Sequence, residues 1–511
     1  MARPFSNFDY VESHYQREPA IRRIFSQARM HHAQSFAVED IEADGLVADE
    51  NAEIHSFLAS YQMTGLQRLS FWTAPNDAVE NGNINSENLV GYAVVKKDRV
   101  PSRQSLANGS WHVFESVIRK YPDRHNYIPA NPKFPVVFGT RQFQLQGALY
   151  CQQNGLNKSC AQVAIRSLLA TISPELDISY SQLNAIARNY PPLTPSEGLS
   201  VQQISGIFDK LGMKYTAIEY GEDESSSGGS DSPTDRAAFP YQKFLYAGVE
   251  AGAGALLGFR RDAAEPAERS HIIPFFGHTF NSDTWVVNAD SGYFSIGEAI
   301  RYIPSDAWVN SFIGHDDNYG SNFCVPRLYV KPQNVGYVLA LHKAGFGTSG
   351  IEAEAIGSEY VYALLGVETI KDSTNPWLRR LVAFADQQRV VIRAVPLTRD
   401  EYVSHLNAAQ DWEWNREHSS TREVMRAHLP ERLWMIEVSL PELFPANHRK
   451  LGSILLNGDG EFGEDLDLSE FVFAQFPSII VFARGLSAGG TPEFTFSESN
   501  LKSHIPVYPG E

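Results

Sequence analysis

The clearest helix that the sequence predicts begins at a cysteine. Residues 160–172 carry apolar side chains at i, i+3, i+4, i+7 and i+8, the spacing of a helix with one buried face. A polar, glycine-containing run ends at Cys160, which places the thiol in the first turn. The N–H groups and dipole of a helix N-terminus favour the thiolate. Cys160 is therefore a candidate nucleophile, and packing as a small apolar side chain is the alternative.

A catalytic thiol also needs donors that stabilise the negative oxygen formed when it attacks a carbonyl group. The backbone N–H of Cys160 can supply one of these donors. The side-chain amide of Gln152 or Gln153, eight and seven residues upstream of the cysteine, can supply the second. The sequence leaves open which of the two glutamines has this role.

The base that takes the thiol proton should be a histidine at the start of a strand. His271 opens an apolar segment, residues 271–276, and a second predicted strand ends in Asn-Ala-Asp. If these strands pair antiparallel, the start of the first lies beside the end of the second. Asn288 and Asp290 share one face of that end, and either can accept from the imidazole and fix its tautomer. His278, which follows the first strand, is the competing base.

This order of residues resembles the papain-like cysteine peptidases. In that family a glutamine precedes a cysteine at a helix N-terminus, a histidine opens a strand, and an asparagine ends the next one. The segment HIIPFFGH, residues 271–278, has the shape of the family's histidine strand. The resemblance covers roughly residues 145–325. It implies a thiol-dependent hydrolase in which Cys160 attacks and His271 moves the proton.

Two further segments are similar to a bacterial branch of that family, the double-glycine leader peptidases. Residues 198–220 predict a helix with a capping box of Ser200 and Gln203, followed by a strand, and this unit lies between cysteine and histidine in that branch. Residues 288–300 resemble its Asp-containing turn followed by a helix. The sequence departs from the pattern at Ser159, where an aspartate is common.

The expected fold class is α+β, with a papain-like core between two mixed α/β accessory domains. We place the N-terminal accessory domain at 1–140, the papain-like domain at 141–330 and the C-terminal accessory domain at 331–511. Residues 221–235 are acidic and rich in Ser and Gly, which predicts a flexible, exposed insertion in the central domain.

The expected reaction is hydrolysis of a peptide or isopeptide bond in a protein or peptide substrate, without a cofactor. Deamidation and acyl transfer to an amine use the same groups and are alternatives. Another alternative is a catalytically silent papain-like module that binds a peptide. In a third, the function lies in the C-terminal domain, and the cysteine domain serves only to process it by self-cleavage in the insertion.

Composition excludes several other classes of partner. The formal net charge is −17 and no block of Lys and Arg offers a phosphate-binding surface, so nucleic acid is not an expected partner. No apolar stretch approaches the roughly 20 residues that span a bilayer, so no membrane association is expected. Three cysteines do not make a disulfide framework, although Cys151 and Cys160 could pair. We expect a cytoplasmic, bacterial protein.

One polar cluster raises the question of a metal. Residues 315–318 read His-Asp-Asp-Asn. Neighbouring side chains on an extended segment point in opposite directions and do not converge on one ion. The cluster is therefore expected to be a polar loop, and no metal site is predicted.

Overall fold

The computed structural model describes most of the chain in thirteen stretches. Asn288, Asp290 and the predicted insertion at 221–235 lie outside the described residues. The described stretches are 7–16, 18–120, 126–130, 132–156, 159–190, 199–220, 239–260, 270–282, 294–296, 300–409, 419–462, 469–486 and 492–509.

Helices and strands both occur throughout the chain. The helices are α1 Asn7–His14, α2 Pro19–Met30, α3 Gly45–Phe57, α4 Asn76–Glu80, α5 Cys160–Ile172, α6 Tyr180–Ala187, α7 Val201–Lys210, α8 Tyr241–Glu250, α9 Gly350–Leu365, α10 Glu368–Lys371, α11 Pro376–Asp386, α12 Arg399–Ala409, α13 Ser419–Ala427 and α14 Phe444–Asn447. The strands are β1 Ser35–Asp40, β2 Gln62–Trp72, β3 Leu89–Arg99, β4 Ser110–Arg119, β5 Asn126–Tyr127, β6 Lys133–Phe138, β7 Arg141–Tyr150, β8 Tyr215–Glu219, β9 Ala255–Phe259, β10 His271–Phe280, β11 Phe294–Ile296, β12 Ile300–Pro304, β13 Val309–Asp316, β14 Gly320–Pro326, β15 Val335–Leu341, β16 Val391–Thr398, β17 Arg432–Ser439, β18 Arg449–Lys450, β19 Gly452–Asn457, β20 Phe471–Phe476, β21 Ile479–Leu486, β22 Pro492–Glu498 and β23 Ile505–Pro506.

The chain divides into two compact units that are not continuous in sequence. Unit 1 comprises residues 1–241, 252–278 and 311–340, and unit 2 comprises residues 242–251, 279–310 and 341–511. The sequence-based domain boundaries near 140 and 330 stay a prediction. Both units combine helices with largely antiparallel sheets, as an α+β chain does.

The first sheet of unit 1 has the order β1-β2-β3-β4-β7-β6, with antiparallel neighbours. Helix α2 covers one face of it. The apolar stripe of α2, which includes Ile21, Ile24 and Phe25, packs in one buried cluster with Phe71 and Val95 of the sheet. This packing gives the sheet a solid core.

The second sheet of unit 1 has the order β14-β13-β10-β9-β15-β8, and β5 pairs with β10. Strand β9 pairs antiparallel with both β10 and β15, so β9 lies between β10, which begins at His271, and β15. The strand predicted to start at His271 is confirmed as β10.

Helix α5 packs against β7, β9 and α6. The predicted helix over 160–172 is confirmed, but its burial is greater than the single apolar face suggested, because residues 161–171 are all buried. Gly254, just before β9, makes the close packing possible. It has φ +73° and a Cβ there would lie 2.6 Å from Leu168 Cδ1.

A buried arginine fixes α5 to its surroundings. The side chain of Arg166 is 1% exposed, its Nε lies 2.7 Å from Asp177 and its Nη2 lies 2.6 Å from Glu115 on β4. Two carboxylates compensate for removing one guanidinium from water. These pairs hold the helix that begins at Cys160 in a fixed register.

The helix predicted from the Ser200–Gln203 capping box is also confirmed. Helix α7 begins at Val201, and both reciprocal hydrogen bonds of the box are present. Gly212, with φ +70°, follows its C-terminus, where glycine tolerates a left-handed conformation at little cost.

Unit 2 is built on an eight-stranded sheet with the order β11-β12-β16-β17-β19-β20-β21-β22. Strands β12 and β16 are parallel, whereas β16, β17, β19 and β20 pair antiparallel in turn. Helix α9 packs its apolar side chains on this sheet. The helix expected within 288–300 is wrong for the described part, because Phe294–Ile296 forms an antiparallel pair with β12.

Helix α8 contributes two buried charges to unit 2. Lys243 is hydrogen-bonded to Glu354 of α9, and Glu250 lies 2.8 Å from Arg393 of β16. Arg393 also pairs with Glu437 at 3.0 Å. The five residues are each at most 4% exposed, so α8 is held to this core by fully buried ion pairs. No helix in the described residues is long and apolar enough to cross a membrane.

Candidate active site

The three cysteines differ in their surroundings. Cys160 is half-buried at the first position of α5, Cys151 is buried and Cys324 is exposed. Burial raises the pKa of Cys151 to about 12, which keeps that thiol protonated and inert. None of the three, all of them within the described residues, forms a disulfide. Cys160 is therefore the thiol best placed for chemistry.

Cys160 acts electrostatically on Tyr337 of the second sheet. Burial, and then the charge of Cys160, raise the pKa of Tyr337. Tyr337 pairs with Gly258 on β9, and its ring lies across that glycine, 2.1 Å from where a Cβ would stand. The charge of the thiol therefore acts at the end of β9 that contains Gly258.

His271 lies at the same end of the sheet, because it pairs with Phe259 of β9. The two rings meet edge to face with centroids 5.7 Å apart. Neighbouring rungs of a sheet present side chains to opposite faces. The imidazole therefore starts from the face of the sheet opposite Tyr337.

The strongest partner of His271 is Asp316 at the end of β13. The imidazole Nε2 lies 3.2 Å from Asp316 Oδ2, and its side chain is 11% exposed. The other oxygen of Asp316 accepts from the backbone N–H groups of Asn318 at 2.9 Å and Tyr319 at 3.2 Å. Burial alone would raise the pKa of Asp316, but the hydrogen bond and charge of His271 and these donors lower it below its usual value. Asp316 is thus an ionised acceptor for the imidazole.

A second carboxylate approaches the same imidazole. Asp317 Oδ1 lies 3.6 Å from His271 Nε2 and accepts from the amide of Asn318 at 2.9 Å. Burial raises the pKa of Asp317 to about 6, against the attraction of His271 and together with the repulsion of Asp316. Asp317 therefore gains its proton near neutral pH while Asp316 stays charged.

The expected divergence of the His-Asp-Asp-Asn side chains is wrong. Both carboxylates turn towards His271, because the pairing of β13 with β14 shifts register between Gly314 and Asp316 and the strict alternation is lost. His315 points in the other direction, as expected, and its ring is tilted at 54° to that of Phe276 with centroids 4.5 Å apart. Burial lowers the pKa of His315 to about 3, so it stays neutral.

The same three groups carry atoms of the kind that bind metal ions. The ligand atoms of His271, Asp316 and Asp317 lie within 4.8 Å of one another. However, 3.2 Å between imidazole and carboxylate is an ordinary hydrogen-bond distance, and a hydrogen bond accounts for the contact without an ion.

The two candidate glutamines have different partners. Gln152 is buried, accepts from the N–H of Val113 at 2.9 Å and donates to Glu18 at 2.7 Å, so both ends of its amide hold the fold together. Gln153 is half-buried, and its Nε2 donates to Oδ1 of Asn318 at 3.2 Å. Gln153 therefore reaches the turn that carries Asp316 and Asp317.

The remaining sequence candidates do not join this group. Asn288 and Asp290 lie outside the described residues. His278 is fully buried, with its ring 5.0 Å from that of Tyr127. It follows His271 by seven residues on one strand, about 23 Å at the usual rise. The competing base is therefore far from the end where His271 lies.

Comparisons with known proteins give little help. No protein-family model matches the chain, and no curated protein matches it. Among solved structures, the chain is similar to the peptidase domain of Streptococcus ComA, a bi-functional ABC transporter involved in a quorum-sensing pathway. The identity is 12% and the TM-score 0.20, over 38% of this chain and 97% of that one. At this TM-score the likeness does not establish a shared fold, and function must be inferred from the residues themselves.

Proposed function

We propose that this chain is a papain-like cysteine hydrolase that cleaves a peptide or isopeptide bond in a protein or peptide substrate. One observation carries the proposal: the imidazole of His271 is hydrogen-bonded to Asp316 at the end of the sheet where Cys160 begins α5. Asp316 takes the orienting role, with Asn288 and Asp290 as alternatives from the sequence. A thiol, an imidazole and a carboxylate are the parts of a nucleophilic site.

The reaction has two steps. The Cys160 thiolate attacks the carbonyl carbon, and the imidazolium of His271 gives its proton to the leaving amine, which yields a thioester. A water molecule then loses a proton to His271 and attacks the thioester, and the thiolate leaves with release of the acid. Because Nε2 of His271 faces Asp316, Nδ1 is the nitrogen that exchanges the proton with the thiol. Asp316 stabilises the imidazolium in both steps.

The oxyanion formed in each step needs two donors. We assign them to the backbone N–H of Cys160 and the side-chain amide of Gln153. Gln152 is the weaker candidate, because releasing its amide would leave the Val113 N–H and the Glu18 carboxylate without their present partner.

A specific observation favours a second function. The imidazole of His271 starts from the face opposite Tyr337, whereas the charge of the thiol acts on Tyr337. A catalytically silent module that binds a peptide has no need to bring the two together. Deamidation and acyl transfer, in contrast, need the same contact as hydrolysis.

The deciding experiment is the rate at which iodoacetamide alkylates each cysteine as a function of pH, followed by peptide mass spectrometry. An unperturbed thiol titrates at about pH 8.5. We expect Cys160 to react at about pH 6 in the wild type and to lose this reactivity in His271→Ala. Cys324 in the same molecule is the internal control. If Cys160 reacts no faster than Cys324 below neutral pH, the hydrolase is excluded and the peptide-binding module remains.

A further inference from the structure

Unit 1 contains a large cavity that the proposed hydrolase does not use. Its volume is about 740 Å³, and its walls come from α2, the end of β4 and strands β13 and β14. We call it the α2 cavity. Ligand pockets for small molecules usually have volumes of roughly 300–1,000 Å³. The α2 cavity is therefore large enough for a small organic molecule.

The lining of the α2 cavity has the opposite charge to the chain. The formal net charge of the protein is −17, yet among the described residues five cationic side chains and one carboxylate line this cavity. These residues are Arg22, Arg23, Arg29, Arg119, Lys120 and Glu12. Such a concentration of positive charge attracts anions from solution.

Main-chain hydrogen bonds hold three of these cations in place without neutralising them. Arg23 donates to the carbonyl oxygens of Ser321 and Asn322, at 2.5 Å each. Arg119 donates to the carbonyl of Leu89 at 2.7 Å, and Lys120 to that of Ile128 at 2.8 Å. A carbonyl oxygen accepts a hydrogen bond but carries no formal charge. The three cations are thus oriented in advance, and their charge remains to attract an anion.

The pKa shifts of the cavity's basic side chains are consistent with a site for an anion. Burial lowers the pKa of Lys120, and it lowers that of Arg23 more than nearby groups raise it. Burial and the charge of Arg119 lower the pKa of His31, which also lines the cavity. Each positive form is disfavoured at present, and a bound anion would relieve that cost.

The inner wall of the α2 cavity is apolar. Phe25, Ile118 and Ile313 line it, and each is at most 3% exposed. A free inorganic ion would leave this wall uncovered, whereas an organic anion can cover it with an apolar group while its charged end meets the cations.

We propose that the α2 cavity binds a small organic anion, a phosphate monoester or a carboxylate with an apolar body, between its cationic side chains and the wall of Phe25, Ile118 and Ile313. The fork of an arginine matches both a phosphate and a carboxylate. The site is separate from the thiol chemistry and does not depend on it.

Isothermal titration of the full chain with four probes tests this: phenyl phosphate, benzoate, inorganic phosphate and the neutral benzyl alcohol. We expect phenyl phosphate or benzoate to bind clearly more tightly than the other two. A preference between those two identifies the anionic group. If benzyl alcohol binds as tightly as either, or if neither organic anion binds at millimolar concentration, the proposal is overturned.

Variants then locate the site. Arg22 is exposed and paired with Glu12, so Arg22→Glu should fold, and we expect it to weaken binding about tenfold or more. Lys120→Gln is a second variant, and we expect it to weaken binding as well. Arg380→Glu is the matched control, because Arg380 is 54% exposed against 59% for Arg22 and is likewise paired with a glutamate, Glu442. Equal losses in Arg22→Glu and Arg380→Glu would overturn the assignment to this cavity.

Discussion

The carboxylate of Asp316 lies 3.2 Å from Nε2 of His271, and two backbone N–H groups bind its other oxygen. Asp316 fixes the orientation of the His271 imidazole. The turn between β13 and β14 fixes the position of Asp316. Because Asp316 keeps its charge, it favours the imidazolium that proton transfer from a thiol creates.

Replacing the Asp316 carboxylate should remove the counter-charge that favours the His271 imidazolium. We expect Asp316→Asn to reduce hydrolysis of peptide substrates by about 10²- to 10⁴-fold, because the imidazolium loses its counter-charge. Alkylation of Cys160 near pH 6 should fall in parallel. The control is Asp459→Asn, which removes an exposed aspartate paired with Arg432. Full activity in Asp316→Asn would return the orienting role to Asn288 or Asp290.

Asp317 should make stability depend on pH. Its pKa is about 6 in the folded chain against a usual value of 3.8, so folding favours its protonated form. This contribution is fully present below about pH 4 and is lost as the pH rises through about 6. Asp317→Asn mimics the protonated form and therefore does not lose this stability as the pH rises. We expect the variant to be more stable than wild type by up to about 3 kcal/mol near pH 7.5, and close to it in stability near pH 4.

Urea unfolding of both proteins at several pH values measures this difference. A constant difference across the range would show that Asp317 does not change its protonation on folding. A lower stability of Asp317→Asn near pH 7.5 would mean that the charged carboxylate is favoured beside His271.

Two glutamines should separate catalysis from stability. Gln153→Ala should lower hydrolysis by about 10²- to 10³-fold with little effect on unfolding, since it removes an oxyanion donor. Gln152→Ala should instead destabilise the fold by about 1–3 kcal/mol, because it leaves the Val113 N–H and the Glu18 carboxylate unpaired. Steady-state kinetics and urea unfolding of both variants give the comparison. The reverse pattern would move the oxyanion role to Gln152.

Close packing at Gly254 can be tested with a matched glycine. Gly254 and Gly212 have φ of +73° and +70°, but a Cβ at 254 meets Leu168 at 2.6 Å, whereas nothing lies within 4 Å at 212. We expect Gly254→Ala to cost about 1–3 kcal/mol more than Gly212→Ala, which costs about 1 kcal/mol. The free energy of urea unfolding measures both, and equal costs would show that α5 can move away from β9.

The sequence predicted local elements well where their signals are local. The capping box at Ser200 and the apolar spacing after Cys160 depend on residues a few positions apart, and both helices are present. The strand Phe294–Ile296 is not predicted although its partners in β12 lie only four to eight residues later, because the resemblance to a turn followed by a helix outweighed the local pattern.

The acid beside His271 was missed for a different reason. The cluster at 315–318 was recognised, but its side chains were assumed to alternate as in a regular strand. A single shift in register after Gly314 turns Asp316 and Asp317 to one histidine 45 residues earlier, counted from Asp316. Neither the shift nor this partner has a signature in the local sequence.

The way the chain passes between the two units has a consequence for its synthesis. Helix α8 leaves the ribosome before most of its unit, and its Lys243 and Glu250 find their partners Glu354 and Arg393 only 111 and 143 residues later, although Asp306 lies 3.5 Å from Lys243. A charge without its partner resists burial. We therefore expect the unpaired charge of Glu250 to oppose burial of the nascent helix until Arg393 has been synthesised.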